Sequence, residues 1–469
     1  MAAICRVQLP DFGRPSELPE IPVAEYLSRL AQVTERMARR QLDVLAVYAD
    51  REHFATLAYL TGLDPRFEEA LLLLDRSGAR RLLVGNEGLG YLPDPAVVKD
   101  VVLFQEFSLM GQPRDRSRDL RSLLAGFGIG QGTRVGCVDW KYYTAALVGE
   151  ALTALNLPAY LADLLRDLCG SRQAVQNATD IFMHPQDGLR VVNSTAQLAQ
   201  FEFAGCVASE GVRTLLQHLQ PGVSERELEK YLDGRGLPRS CHAMVGFGEK
   251  AARGLASPGN QRLKAGQPYT TAFGVWGALT ARAGMLAGRA EDLPSGLREY
   301  YLDFSGNYYD VVAAWYEALR VGARCRDVFA AVSARRNPAL LDFALNPGHY
   351  LHLDEWVHSP FDKDSSAVLV SGMALQSDII PVGRGPGLVC ANAEDGVVLA
   401  DAAERRALAE QFPECWQRMQ ARRRFMAQTL GIVLDDSVLP TGNIPGWLPP
   451  LALNPELAFT AGSGDRRPL

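Results

Sequence analysis

Histidine is scarce in this chain, seven in 469 residues. Long apolar runs are absent as well. Nothing approaches the ~20 residues that carry a helix across a bilayer, so no membrane span is expected. The first ten residues, MAAICRVQLP, hold neither the basic leader nor the apolar stretch of a secretory signal. No two cysteines stand in CxxC spacing. The eight of them, Cys5, Cys137, Cys169, Cys206, Cys241, Cys325, Cys390 and Cys415, are scattered. That scatter excludes a zinc ribbon or a disulfide framework and fits reduced thiols in the cytoplasm. A basic excess is missing too, the formal net charge being −6, and with it the footprint of a nucleic-acid binder. What is there is 47% hydrophobic and 22% charged, the balance of a soluble globular protein. The chain is too long for one domain of ~100–200 residues. Against the general scarcity, His349, His352 and His358 fall in one ten-residue stretch.

Residues 1–180 read as an α/β domain. Val23 to Arg40 carries Tyr26, Leu30, Val33 and Met37 at helical spacing, with basic residues at the C-terminal end where the helix dipole favours them. Val44–Tyr48, Glu69–Leu74, Arg80–Val84 and Arg134–Val138 read as strands, and Asp75-Arg76-Ser77-Gly78 as a hairpin turn. A helix is expected from Tyr143 to Leu155. The boundary falls in the weakly periodic stretch Leu165–Arg190. Residues 181–430 form a second domain that begins with a long helix, Asn193 to His218. Ser224 and Glu227 then make a capping box at the next helix start. A hundred residues on, Leu319, Gly322 and Val328 repeat Leu219, Gly222 and Leu228, which suggests a duplicated helix–turn–helix half. Residues 431–469, with six prolines from Pro440 to Pro468, read as an extended surface tail with a frayed end.

Several of these residues resemble the creatinase, prolidase and aminopeptidase P family (M24), whose fold is called pita-bread. Tyr59-Leu60-Thr61-Gly62 and Phe67 to Leu73 look like its N-terminal creatinase-type domain, and Pro221 to Glu225 like its PGxxE helix start. Gly348-His349, Ser371 to Leu375 and Ala393 to Val398 resemble three site motifs in the expected order. The resemblance spans about residues 20–425. It implies a creatinase-type α/β domain over 1–180, an α+β pita-bread domain over 181–430 and a homodimer.

The departures matter more. Metal-dependent members hold two divalent ions with two Asp, one His and two Glu. The Asp positions fall on Ala272 and, eleven residues on, Ala283, and the family's upstream histidine falls near Gly254 or Leu255. His349 and Glu394 are kept, and Asp378 stands where the family has Glu. Paired divalent ions need several anionic oxygens, so no two-metal site is expected and no cofactor is assigned. The leading expectation is a metal-independent, creatinase-like hydrolase or lyase that cleaves a C–N bond of amide or amidine type in a small amino-acid-derived substrate. His349 would move the proton, because its ordinary pKa of ~6.5 suits transfer near neutrality. Glu394 and Asp378 would take catalytic parts, and His358 would stand in for a second family histidine. Arg282 would clamp a substrate carboxylate, with His352 and Trp356 lining the pocket. If Gly348 to Pro360 runs as a strand, His352, Asp354, Trp356 and His358 share one face and His349 takes the other. Two alternatives stand beside this one: a non-catalytic pseudo-peptidase that binds or scaffolds, and a single-metal, Xaa-Pro peptidase-like hydrolase using His349, Asp378 and Glu394. No nucleic-acid or membrane partner is expected.

Overall fold

The computed structural model describes residues 2–462, which divide into two compact units. One is Ile21–Arg190. The other joins the segment ahead of Ile21 to everything from Val191 on. The chain opens with a short strand, β1 (Ala3–Arg6).

In the unit Ile21–Arg190, strands β2 (Val44–Ala49), β3 (Ala70–Asp75), β4 (Arg80–Val84), β5 (Asp100–Leu103), β6 (Val135–Val138) and β7 (Val175–Asn177) form one sheet in the order β5-β4-β3-β2-β6-β7. All six residues of β2 are buried, which explains its unbroken apolar sequence. The helix Val23–Arg39 buries Leu30, Val33 and Met37 and ends in Arg36 and Arg39, as its periodicity predicts. The β3–β4 turn closes on Asp75, whose Oδ1 accepts from the amides of Ser77 and Ala79. The helix expected over Tyr143–Leu155 does not form. A single turn, Ala145–Val148, buries none of its residues, and Gly149 at φ +71° ends it. An apolar run with nothing to pack against has little reason to stay helical.

Just past β2, Asp50 Oδ2 lies 2.9 Å from His53 Nδ1. The hydrogen bond to Asp50 raises the His53 pKa, and His53 in turn outweighs burial to lower that of Asp50. The His53 contribution to stability is therefore full below ~6.5 and lost as pH rises through its folded pKa. The Asp50 contribution is present above ~3.9 and lost on acidification. His53→Ala is expected to cost about 0.5 kcal/mol at about pH 5.5 and nearly nothing at about pH 8. Urea denaturation at the two pH values checks this; equal costs would show that the pair does not titrate as described.

The other unit carries β8 (Met244–Phe247), β9 (Pro268–Val275), β10 (Ala278–Met285), β11 (Leu341–Phe343), β12 (His349–Tyr350), β13 (Ala374–Gln376), β14 (Pro381–Gly383), β15 (Asn392–Glu394), β16 (Gly396–Leu399), β17 (Val438–Pro440) and β18 (Leu457–Thr460). Two four-stranded sheets, β15-β10-β9-β8 and β12-β13-β16-β17, are joined where the chain passes from β15 through Asp395 into β16. β11 pairs with β14, and β18 returns to pair with β1.

The repeat seen in the sequence is a repeat in three dimensions. Helices Thr195–Gln217 and Arg298–Ala318 are each followed by a tight turn and a shorter helix, Glu225–Glu229 and Cys325–Arg335. Gly222 and Gly322 sit at φ +92° and +89° in these turns, a left-handed conformation that glycine adopts without strain. Gly222 N donates to Leu263 O and Leu263 N to Val223 O. Gly322 N donates to Leu369 O and Leu369 N to Ala323 O. The correspondence continues: Gly266 N donates to Leu286 O, and Gly372 N to Leu399 O. The capping box at Ser224 and Glu227 is also present.

The segment after residue 430, expected as a surface tail, is instead buried over most of Ser437–Ala452. Ile444, Trp447, Leu448 and Leu451 pack inside, and Arg282 and Asp395 bind its backbone. Its apolar residues, rather than its prolines, decide its place. The end of that segment, 463–469, lies outside the described residues. Among those described, no helix is long and apolar enough to cross a membrane.

Candidate functional site

His349 begins β12 with its side chain fully buried. Gly348 puts it there. Its amide donates to Asp378 O at 2.7 Å, and at φ +93° a Cβ would stand 2.7 Å from Gln376 O and 2.9 Å from Trp315 Nε1. Only glycine lets the strands approach so closely. His349 Nδ1 lies 3.1 Å from Tyr350 O, leaving Nε2 toward three carboxylates: Glu355 at 3.1 Å, Asp378 at 3.9 Å and Glu394 at 4.0 Å. Asp378 follows β13, and Glu394 ends β15.

One imidazole among three carboxylates sets the protonation. Burial opposes the imidazolium, but Glu355 and then Asp378 outweigh it, and the His349 pKa is raised. Burial pushes the Asp378 carboxyl up to about 6 against the pull of His349. Burial, with Asp378 and Glu355 adding to it, holds Glu394 well above the usual carboxylate range. All three shifts run the same way, so each group of the cluster holds its proton more tightly than it would in water. Asp378 Oδ1 and Glu394 Oε1 are buried and have no hydrogen-bond partner, and His349 Nε2 has its close contact with Glu355 alone.

The register of the β15-β10-β9 sheet explains what faces the cluster. Glu394 opposes Ala281, and Ala281 opposes Ala272, so these three share a face, with Ala283 two residues along. Arg282 takes the reverse face. It is completely buried, and every donor is spent: Nε on Trp447 O at 2.8 Å, Nη1 on Ala281 O and Glu394 O, and Nη2 on both Asp395 oxygens at 2.9 Å and on Ile444 O. The expected carboxylate clamp is therefore an internal strut with no N–H left for a substrate. A shift of one residue along a strand reversed its face.

The histidine stretch is not a strand throughout. After Tyr350 the chain turns back, with Val357 N donating to Tyr350 O and Tyr350 N to His358 O. The turn lays Trp356 on His349, ring centroids 4.1 Å apart and planes 23° from parallel, although strand alternation had put the two on opposite faces. Trp356 also walls a cleft of about 550 Å³ with Asp342, Phe343, Asn346 and Ser359. His352 is fully buried with its ring edge-on to Phe201 of the helix Thr195–Gln217 at 5.4 Å, outside the group formed by His349, Asp378 and Glu394. His358 pairs with Tyr350, and that register puts it on the Tyr350 face, the reverse of His349. The expected catalytic place of His358 and pocket place of His352 are thus not supported, whereas His349, Asp378, Glu394 and Trp356 come together.

Two residues escaped the sequence reading. Glu355 lies within the histidine stretch but reaches His349 only because of the turn. Cys241, just ahead of β8, packs on Ala272, Leu279 and Ala281. Burial, then Glu355 and Glu394, pushes its thiol up to about 12. Nothing in the local pattern marks either one.

A paired divalent centre does not fit this site. Where the resemblance places two aspartates, Ala272 and Ala283 present buried methyl groups, and Cys241 and Met244 pack beside Ala272. A single ion meets a better donor set, since His349, Asp378 and Glu394 offer ligand atoms all within 4.8 Å of one another.

The two-sheet unit with this site at its seam is the pita-bread fold, and comparison with solved structures agrees. The chain superposes on dipeptidase PepE from Mycobacterium ulcerans with a TM-score of 0.62 at 19% identity, covering 93% of this chain and 99% of that one. A dipeptidase from Pyrococcus horikoshii OT3 gives 0.59 at 20% identity over 79% and 94% of the two chains. An Xaa-Pro dipeptidase from Bacillus anthracis gives 0.58 at 14% identity over 81% and 96%. At these identities the likeness concerns the fold. No family model and no curated protein matches the sequence.

Proposed function

We propose that the protein is a hydrolase that cleaves a C–N bond of amide or amidine type in a small amino-acid-derived substrate, its own side chains carrying the proton transfers. One observation carries this reading: His349 stands among three carboxylates, and Ala272, where the resemblance places an aspartate, shares a face with Glu394. Peptide-bond hydrolases among the solved structures of this fold support the reaction class.

The substrate's amide or amidinium nitrogens face Asp378 and Glu394. A cationic group there lets Glu394 ionise, because it supplies the positive charge that burial otherwise makes the carboxylates lack. The His349 imidazolium gives its Nε2 proton to the leaving nitrogen and takes one back from the attacking water. Glu355 holds the imidazolium in place. Trp356 covers one face of the ring and keeps water from it, which strengthens each charge interaction inside. A small-molecule substrate, a homodimer and a cytoplasmic setting belong to the same proposal; among the described residues no cysteine is in a disulfide.

The orphaned oxygens of Asp378 and Glu394, with His349 beside them, favour a second reading, in which one divalent ion sits among them and polarises the scissile group. Turnover of a panel of dipeptides, N-acyl amino acids and amidines by protein dialysed against chelator separates the two. Turnover that survives dialysis is the expected result. Turnover lost on dialysis and restored by one equivalent of Zn²⁺ or Mn²⁺ would establish the second reading.

A further inference from the structure

We infer that the cleft on the far side of Trp356 is a ligand site of its own, and that it takes a small aromatic carboxylate. The inference stands apart from the hydrolase reading, because it concerns binding beside the His349 cluster rather than turnover within it.

Trp356 serves two neighbours. Its indole is stacked on the His349 ring, and it also walls the cleft of about 550 Å³, within the ~300–1,000 Å³ usual for small-molecule sites. Phe329 and Ser333 of the helix Cys325–Arg335 and Phe343 of β11 line the same cleft. So does Ser359, whose hydroxyl donates to Gly348 O at 2.7 Å and ties the cleft to the start of the His349 strand. Three aromatic side chains around one recess suit a planar apolar ring.

The charge in the cleft comes from Arg336, the residue after the helix. Its Nη1 binds Asp342 Oδ1, and Arg384 Nη2 binds Asp342 Oδ2. The amide of Phe343, then Arg384 and Arg336, hold the Asp342 carboxyl below its ordinary pKa, so it is ionised at neutral pH. Two guanidiniums therefore share one carboxylate, and a positive charge is left over. Among the described residues no group accepts from Arg336 Nε or Nη2. That is the reverse of Arg282, whose every donor is spent. The Arg336 guanidinium also lies 5.5 Å from the centre of the Phe343 ring. A carboxylate bound to these spare N–H groups leaves its aromatic ring among Phe329, Phe343 and Trp356. A neutral ring would leave the N–H groups unused, and a cation would be repelled. The indole is common to cleft and cluster, so a ligand stacked on it changes what packs on His349.

The test uses the full-length protein and three probes: phenylacetate, its neutral analogue phenylacetamide, and the photoreactive acid 4-benzoylbenzoate. By titration calorimetry phenylacetate is expected to bind about tenfold or more tightly than phenylacetamide, the worth of a hydrogen bond to a charged group. Arg336→Gln is expected to abolish that preference and His349→Ala to keep it, which separates the cleft from the imidazole. Phenylacetate is also expected to shift the His349 ring-proton resonance through Trp356. Irradiated 4-benzoylbenzoate is expected to attach to Phe329, Phe343 or Trp356 in the parent protein, a readout that needs no variant to fold. Equal affinity for acid and amide, or a preference that survives Arg336→Gln or is lost in His349→Ala, would overturn the inference. So would an unmoved His349 resonance or photoadducts confined to other residues. None of these readouts uses turnover. Phenylacetate binding in a protein that turns over nothing in the panel would support this site and remove the hydrolase reading; turnover without phenylacetate binding would do the opposite.

Discussion

Arg282→Ala is expected to cost about 3–5 kcal/mol of folding stability, whatever it does to turnover. Arg282 and Asp395 form a fully buried ion pair, and removing one partner strands the other charge in a medium that cannot solvate it. Burial already raises the Asp395 pKa against the pull of Arg282, so Asp395 loses its chief counter-charge. Three elements then come apart. Arg282 ties β10 to the carbonyls of Glu394, Ile444 and Trp447, while Asp395 accepts from Gly446 N at 2.8 Å. Arg282→Met with Asp395→Leu removes both charges and is expected to recover part of the loss, because a buried pair is worth little against apolar groups of similar volume. Denaturant unfolding of the single and double variants reads both effects. If Arg282→Ala kept parental stability and lost only turnover, the clamp read from the sequence would be restored and the strut dismissed.

His349→Ala is expected to lower kcat on any substrate of the panel by about 10²–10⁴, the usual worth of a positioned proton donor. Stability should change far less than in Arg282→Ala. The substitution leaves Glu355, Asp378 and Glu394 without their shared cation, and Asp378, which His349 otherwise helps to ionise, holds its proton more tightly still. The fold is kept at neutral pH, which circular dichroism confirms, while activity is lost. His349→Gln keeps the volume and a hydrogen-bonding group but moves no proton, so it should fare no better in kcat. Recovery of turnover with Gln would show that His349 positions the substrate and transfers nothing.

The contrast between these two residues shows what the sequence holds and where it stops. Strands Val44–Ala49 and Arg80–Val84, the Asp75 turn, the Ser224 box and the helical repeat are legible because each is fixed by neighbours in the chain. His349, Asp378 and Glu394 are legible through motif spacing along strands. Arg282 was misplaced because its neighbour Ala283 sits at a motif position, and neighbours on a strand face opposite ways. Trp356 and Glu355 reach His349 by a turn, and Cys241 meets Ala272 and Ala281 from the irregular stretch ahead of β8. Both are departures from regular pairing that tertiary packing selects and no local periodicity announces. The segment after residue 430 departs from its proline signal because the burial of Ile444, Trp447 and Leu448 governs it.

The paired turns at Gly222 and Gly322 have one more consequence. Six residues past Gly372 stands Asp378, and six past its counterpart Gly266 stands Ala272. Ala272 and Asp378 thus occupy equivalent places in the two copies. The molecule repeats one device, with a carboxylate at this place in the later copy and a methyl group in the earlier. A centre built by two equivalent arms would treat both sides of a ligand alike. This one has a polarity, with methyl groups and sulfur on one side and ionisable oxygens on the other.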